Sequence, residues 1–230
     1  MLNKLLSWQH SIAVTAQVSY RPSRPILAYQ ILQDMGPVGE KAVPGLVELL
    51  QQSDLELAGR ACMLLAKFGP ASIPKVRPLL SSSNEMTRAL GAATFGAMGS
   101  EARTVAPILE PMLKEKSNVV RLAAASALVK IGTDPQTVIP VLLDCWQQAD
   151  FEGRTSALDA LAELKDRGKA AVTHLTNLLA KATDPGDRQA LLGTLQAIEP
   201  QLASRLAPPG TLDPKPESPA EVDKLIDPTR

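Results

Sequence analysis

The hydrophobic positions of this chain fall into one pattern that returns several times. In NVVRLAAASALVKIG (118–132) the stripe runs through Arg121, Ala124, Ala125, Leu128 and Ile131, spaced i, i+3, i+4, i+7 and i+10. That spacing is one face of an α-helix; a strand would alternate with period two. The pattern recurs in DLELAGRACMLLAKFG (54–69), NEMTRALGAATFGAMG (84–99), DFEGRTSALDALAELK (150–165) and DPGDRQALLGTLQAIE (184–199), and more faintly in PILAYQILQDMG (25–36). Between these copies lie AVPGLVELL, SIPKVRPLL, TVAPILEPML, TVIPVLLDCW and AAVTHLTNLL, again apolar at helical spacing. In this second set Pro44, Pro74, Pro107 and Pro140 stand 30, 33 and 33 residues apart, and Thr173 continues the series. Proline is tolerated in the first turn of a helix, where its missing N–H has no partner to lose, so these prolines are expected there or at a mild bend.

The punctuation supports the same division. Gly36, Gly69, Gly99 and Gly132 follow the first type of helix, where a left-handed residue ends a helix at little cost. Asp54, Asn84, Asn118, Asp150 and Asp184 precede those helices as expected N-caps, and Pro185 takes the favoured first position. Each unit is then a helix hairpin of 30 to 34 residues. Neither helix can bury its stripe alone, so stacking the hairpins is what creates a core, and the expected fold is an all-α solenoid of antiparallel helix hairpins. Five hairpins are expected at about 37–69, 70–99, 100–132, 133–165 and 166–199. A degenerate helical pair precedes them at 1–36. A Pro-rich, acidic segment at 200–230 is read as a disordered tail, in which PAEVDKLID could form a helical turn or a docking peptide.

Composition narrows the function classes. Aromatic residues make up 3%, against 45% hydrophobic residues overall, which suits closely packed helices better than sheets. The 24 basic and 24 acidic residues balance, so no basic footprint for nucleic acid is present. Cys62 and Cys145 are too few for a disulfide framework and lack metal-ligand spacing, which points to a reducing, cytoplasmic setting. No apolar run reaches membrane-spanning length. Trp8, Gln9 and His10 interrupt the apolar stretch of MLNKLLSWQHSIAVTA, which argues against a cleaved secretion signal.

A helix carrying Pro, then an Asp or Asn turn, then VR..AA..L..IG resembles the HEAT repeat, in particular the short HEAT-like type named for phycobilisome lyases. The best copies are VAPILEPMLKEKSNVVRLAAASALVKIG and IPVLLDCWQQADFEGRTSALDALAEL, and the resemblance covers about Val38 to Glu199. The chain departs from the pattern at Pro25 and Ala58, which fill the Arg slot, at Thr173, which replaces Pro, and at Lys165 and Glu199, which replace Gly. HEAT-like solenoids serve many tasks, so the resemblance implies a fold more than a function.

Arg88, Arg121, Arg154 and Arg188 are spaced 33, 33 and 34 apart and form a column along the stack. A cation in a first turn is disfavoured by the helix dipole by about 0.3–1 kcal/mol, so something should offset it. Side chains lean toward the helix N-terminus, which lets each Arg reach the Asp or Asn cap of its own or a neighbouring unit. The resemblance implies such an Asp/Arg ladder; binding of an anion or acidic partner is the competing reading. Trp146 and Asp150 suggest the aromatic-plus-acid pair of HEAT-like DNA glycosylases. However, Trp146 aligns with Leu50, Leu80, Leu113 and Leu179, a core register, and Asp150 with the caps. Cys145 and Cys62 also align with apolar positions and read as buried small hydrophobes. His10 and His174 belong to no ligand cluster, and the iron-holding HEAT-like hydroxylases need several His-Glu pairs; no metal, cofactor or catalytic residue is expected.

The outward positions of the same helices are the expected working face: Leu90, Ala93, Thr94 and Ala97, then Ala123, Ser126 and Lys130, then Ser156, Asp159 and Glu163. By resemblance this face is concave, smooth and lightly charged, and turns acidic at Asp159 and Glu163. Its small residues are explained by crowding alone, or by a groove for a protein segment. The expected function is a non-enzymatic, monomeric scaffold that binds another protein, with no nucleic acid or membrane as partner. The alternatives are a lyase-like protein that positions or attaches a chromophore and, behind it, a nucleic-acid-binding HEAT-like protein.

Overall fold

A computed structural model describes residues 41–207, apart from Ser53, Asp150 and the side chains of Phe151 and Glu152. The helical pair expected at 1–36 and the cap at Asp150 therefore lie outside the described residues. Within them every regular element is helical: α1 (Val43–Leu49), α2 (Leu55–Lys67), α3 (Ile73–Val76), α4 (Glu85–Met98), α5 (Ala106–Leu109), α6 (Asn118–Ile131), α7 (Pro135–Gln148), α8 (Phe151–Glu163), α9 (Val172–Lys181), α10 (Pro185–Ile198) and α11 (Pro200–Leu206). The even-numbered helices from α2 to α10 are the second members of the hairpins. They lie side by side in chain order, each packed on the next. This is the α-solenoid that the repeats predict.

Capping chemistry explains where the second helices begin. Asp54 accepts from the Leu57 N–H at 3.0 Å, Asn84 from Met86 and Thr87 at 2.8 and 3.2 Å, and Asp184 from Asp187 at 2.9 Å. Asn118 is a correction: Ser117 is the cap residue there, and Asn118 is the first residue of α6. The helices end on Gly69, Gly99 and Gly132, with φ of 55°, 60° and 90°. Lys165 fills the glycine slot after Gly132 and takes φ 49°, so it adopts a backbone that costs an L-residue with a β-carbon about 1–2 kcal/mol.

The first helices are less regular than their periodicity suggests. Pro44, Pro74, Pro107 and Thr173 do sit in first turns, but Pro140 lies inside α7. Asp134 caps α7 by accepting from Gln136 at 3.0 Å, and Pro135 follows it, so this helix starts a turn early. In the two preceding units Pro78 and Pro111 remove further N–H donors, and tighter 3-10 turns (Arg77–Ser81 and Glu110–Lys114) replace α-helix there. The first residues of the segment read as a tail are helical: Pro200 starts α11, which packs on α10 with Ala203 fully buried; the rest of that segment, from residue 208, lies outside the described residues.

One continuous core results, with Leu65, Phe95, Leu128, Leu161 and Leu195 buried in successive units. Small residues set the tightest junction. A β-carbon on Gly96 of α4 would stand 2.9 Å from Ala127 Cα of α6, so the two backbones pack at a separation that no larger residue permits. Trp146 differs from its leucine counterparts: it is half-buried, because an indole overfills a slot shaped for leucine.

Candidate functional site: two sides of the second helices

The arginine column lies along one edge of the stack, and its partners are mostly not the expected caps. Arg88 forms a bidentate pair with Glu115, Nε at 3.1 Å from both carboxylate oxygens and Nη2 at 2.6 Å from Oε2, while Nη1 donates to the Ser82 and Ser83 carbonyls. This bonding holds the guanidinium still more firmly protonated than usual. Arg121 donates to the Glu115 and Lys116 carbonyls, each at 2.9 Å, and to Asn118, Asp144 and Gln148 side chains. Arg154 reaches Asp187 at 2.8 Å, and Arg188 donates to the Leu179 carbonyl at 3.3 Å. The caps Asp54, Asn84 and Asp184 are occupied by their own helix N–H groups, which is why the arginines turn elsewhere.

Two of these contacts follow a rule that single-position reading misses. Arg88 meets Glu115 and Arg121 meets Gln148, in each case 27 residues on, at the end of the next hairpin's first helix. The same slot after Arg154 is Lys181, a repelling cation, and Arg154 pairs with Asp187 in the first turn of α10 instead. The sequence signal for these acceptors is weak because the slot changes from Glu to Gln to Lys. Cys145 lies beside Arg121; burial pushes its thiol up, and the guanidinium only partly pulls it back. Burial raises the Cys62 thiol as well. Both thiols are therefore poor nucleophiles at neutral pH.

On the opposite, outward side, Ala93, Ala97, Lys130, Ser156, Asp159 and Glu163 are exposed, while Leu90, Ala123 and Ser126 are half-buried. Thr94 does not belong to this face. It is 0% exposed, its hydroxyl donates to the Leu90 carbonyl at 2.8 Å, and its helix position faces Cys62 of α2. The repeat register adds residues of α2 that sequence reading left out: Arg60, Met63 and Lys67 align with Leu90, Ala93 and Ala97. Met63 is 56% exposed. Lys130 of α6 pairs with Glu163 of α8 at 3.6 Å, which shows that equivalent positions on successive helices are neighbours. Charge thus varies along the face: Lys67 and the Arg60–Glu56 pair at α2, small and apolar side chains across α4, Lys130 at α6, and Asp159 and Glu163 at α8. Among the described residues no group of three or more His, Cys, Asp or Glu could hold a metal ion, and no helix is long and apolar enough to cross a membrane.

Stacked hairpins, capped second helices and a column of first-turn arginines define a HEAT-type repeat protein. The sequence matches the HEAT-repeat family over residues 43–129 and 107–196, and the chain belongs to that family. Among solved structures it is similar to the complex of CpcE and CpcF of phycocyanin lyase from Nostoc sp. PCC7120, with a TM-score of 0.53 and 21% identity. That match covers 67% of this chain and 98% of the other. No curated protein matches the sequence.

Proposed function

We propose that this chain is a HEAT-repeat subunit of the chromophore-lyase type whose own contribution is binding: it holds a protein segment along the outward face of α2, α4, α6 and α8. The observation that carries this reading is the division of the second helices into two sides. The arginine edge is bonded largely within the stack, whereas the outward face presents small exposed side chains between scattered charges of both signs, a shape that admits a polypeptide backbone across several units at little ordering cost. The lyase-type assignment is supported by the likeness to the CpcE and CpcF complex, in which two proteins are found together. A plain protein-binding scaffold is the second reading, favoured by the smallness of Ala93, Ala97 and Ala123, which suits a peptide better than a pigment.

Titrating the purified chain with phycocyanin, with and without its pigment, separates the two. The lyase-type reading expects binding that Ala93→Glu with Ala97→Glu abolishes while the melting temperature holds. If phycocyanin does not bind, but another protein captured from the native source is lost in that same variant, the scaffold reading stands. Capture of every partner undiminished by the two glutamates would refute both.

A further inference from the structure

We propose that the arginine edge has one open place, at Arg154 in the first turn of α8, and that it takes a carboxylate carried by an acidic segment of another protein. The neighbouring units show what such a place is built to hold. Arg88 receives Glu115 and Arg121 receives Asp144, each carboxylate supplied by the first half of the next hairpin. By repeat register the residues that stand toward Arg154 are Asn177, 33 positions after Asp144, and Lys181, 33 positions after Gln148. Lys181 closes α9 as Gln148 closes α7. One is neutral and the other a cation, so α9 offers Arg154 no carboxylate at these slots.

The consequence is visible in the side chain. On Arg88, Nε lies 3.1 Å from both Glu115 oxygens and Nη2 lies 2.6 Å from one of them, the edge-on geometry in which a guanidinium grips a carboxylate. On Arg154, Nη1 is paired with Asp187 at 2.8 Å. Its Nε, the donor that Glu115 serves on Arg88, is buried and has no hydrogen-bond partner among the described residues. A buried donor without an acceptor has lost its water and gained nothing, so a ligand oxygen there restores a full hydrogen bond. The Arg154 side chain is also the more open of the two, 33% exposed against 18% for Arg88 beneath Glu115. A group from solvent therefore reaches the guanidinium, and Nε lies just under that surface.

The surroundings select an anion. Arg188, beside Asp187 in sequence, donates to the Leu179 carbonyl at 3.3 Å, and Lys181, two residues after Leu179, is exposed. Among the described residues neither Arg188 nor Lys181 makes an ion pair. Asp187 is already bonded to Arg154, and Asp184 is occupied as the cap of α10. Three cations against one paired carboxylate leave this end of the edge positive, whereas Arg88 and Arg121 are matched. The planar guanidinium fork favours a two-oxygen ligand, and the acceptor that fills it at Arg88 is a glutamate. An acidic protein segment supplies that group. The outward face has no part in this contact, because it lies on the other side of α8.

A blocked tetraglutamate peptide, titrated into the full chain at constant ionic strength, is the probe, with inorganic phosphate as the comparison. The readout is the Arg154 Nε–H resonance in proton–nitrogen NMR, assigned by its absence in Arg154→Lys. This resonance should shift saturably with the peptide. Lys181→Glu places a carboxylate in the slot that Glu115 fills for Arg88. It should shift the same resonance without any ligand and weaken peptide binding by about tenfold or more, the worth of one charge-assisted contact. Its melting temperature should rise by about 2 °C. Lys181→Ala removes the cation and leaves Nε unpaired, so it should retain binding to within about fivefold. Lys75→Glu, an exposed reversal on distant α3, should change nothing. An unmoved Arg154 resonance, an unchanged affinity in Lys181→Glu, or an equal loss in Lys75→Glu would each overturn the site. Tighter binding of phosphate than of the peptide would overturn the carboxylate.

Discussion

Along the arginine edge, Arg88, Arg121 and Arg154 each bond to the next hairpin at distances from 2.6 to 3.3 Å, and Arg121 alone has five acceptors. Across the outward face of the same helices, Lys130 and Glu163 meet at 3.6 Å with nearly half of each side chain in water. The contrast separates construction from recognition. Apart from Arg154 Nε, which is buried without a hydrogen-bond partner, the edge donors are taken up by neighbouring groups and leave little for a ligand, while solvated groups exchange water for a partner at small net cost. Conspicuous periodic charges thus mark the joints of the stack, and the inconspicuous alanines are where we propose that a partner binds.

The comparison is most severely tested at the junction beneath both sides. Gly96→Val drives side-chain atoms into the Ala127 backbone and should destabilise the fold by about 3 kcal/mol, read from denaturant unfolding. Next, Arg121→Ala removes the donor to two carbonyls and three side chains. It should cost about 2 kcal/mol and leave partner affinity unchanged. Unchanged melting with lost binding would reverse the roles assigned to the two sides. A smaller effect of opposite sign is expected for Lys165→Gly, which relieves the left-handed backbone and should stabilise by about 1 kcal/mol. Smallest in stability is Ala93→Glu with Ala97→Glu, expected within about 0.5 kcal/mol of the parent yet abolishing binding.

The thiols sharpen the comparison through pH. Burial raises both above their ordinary value, so the folded state favours the protonated form. Their contribution to stability is complete at neutral pH and declines as pH rises through the range where an unfolded thiol ionises. Labelling of Cys62 and Cys145 by a thiol reagent at pH 7 should therefore follow global unfolding rather than precede it. Rapid labelling in the folded chain would show that the arginine edge around Cys145 is open.

Much of the fold was legible in the sequence because its determinants are local. Helical period, the Asp and Asn caps, the closing glycines and the repeat length each depend on residues within a turn or two of one another. Asn118 misled because Ser117 and Asn118 are both capable caps in adjacent positions, and α11 was hidden because a seven-residue helix has too few apolar residues to show a period. Of the candidate face, nine of its ten residues are exposed or half-buried; Thr94 is the exception. Its side chain points at a neighbouring helix, and the approach of α4 to its neighbours depends on side-chain volumes in three helices at once.

What the sequence determined by itself was the unit: which residues form each helix, where it stops, and which stripe must be hidden. What only the tertiary structure decided was the partnership between units. Arg88 has several acidic or carbonyl groups within chain reach, and the choice of Glu115 is made by how far one hairpin is rotated on the next. That rotation is fixed by close packing at contacts such as Gly96 on Ala127, which no local rule encodes because the two residues are 31 positions apart.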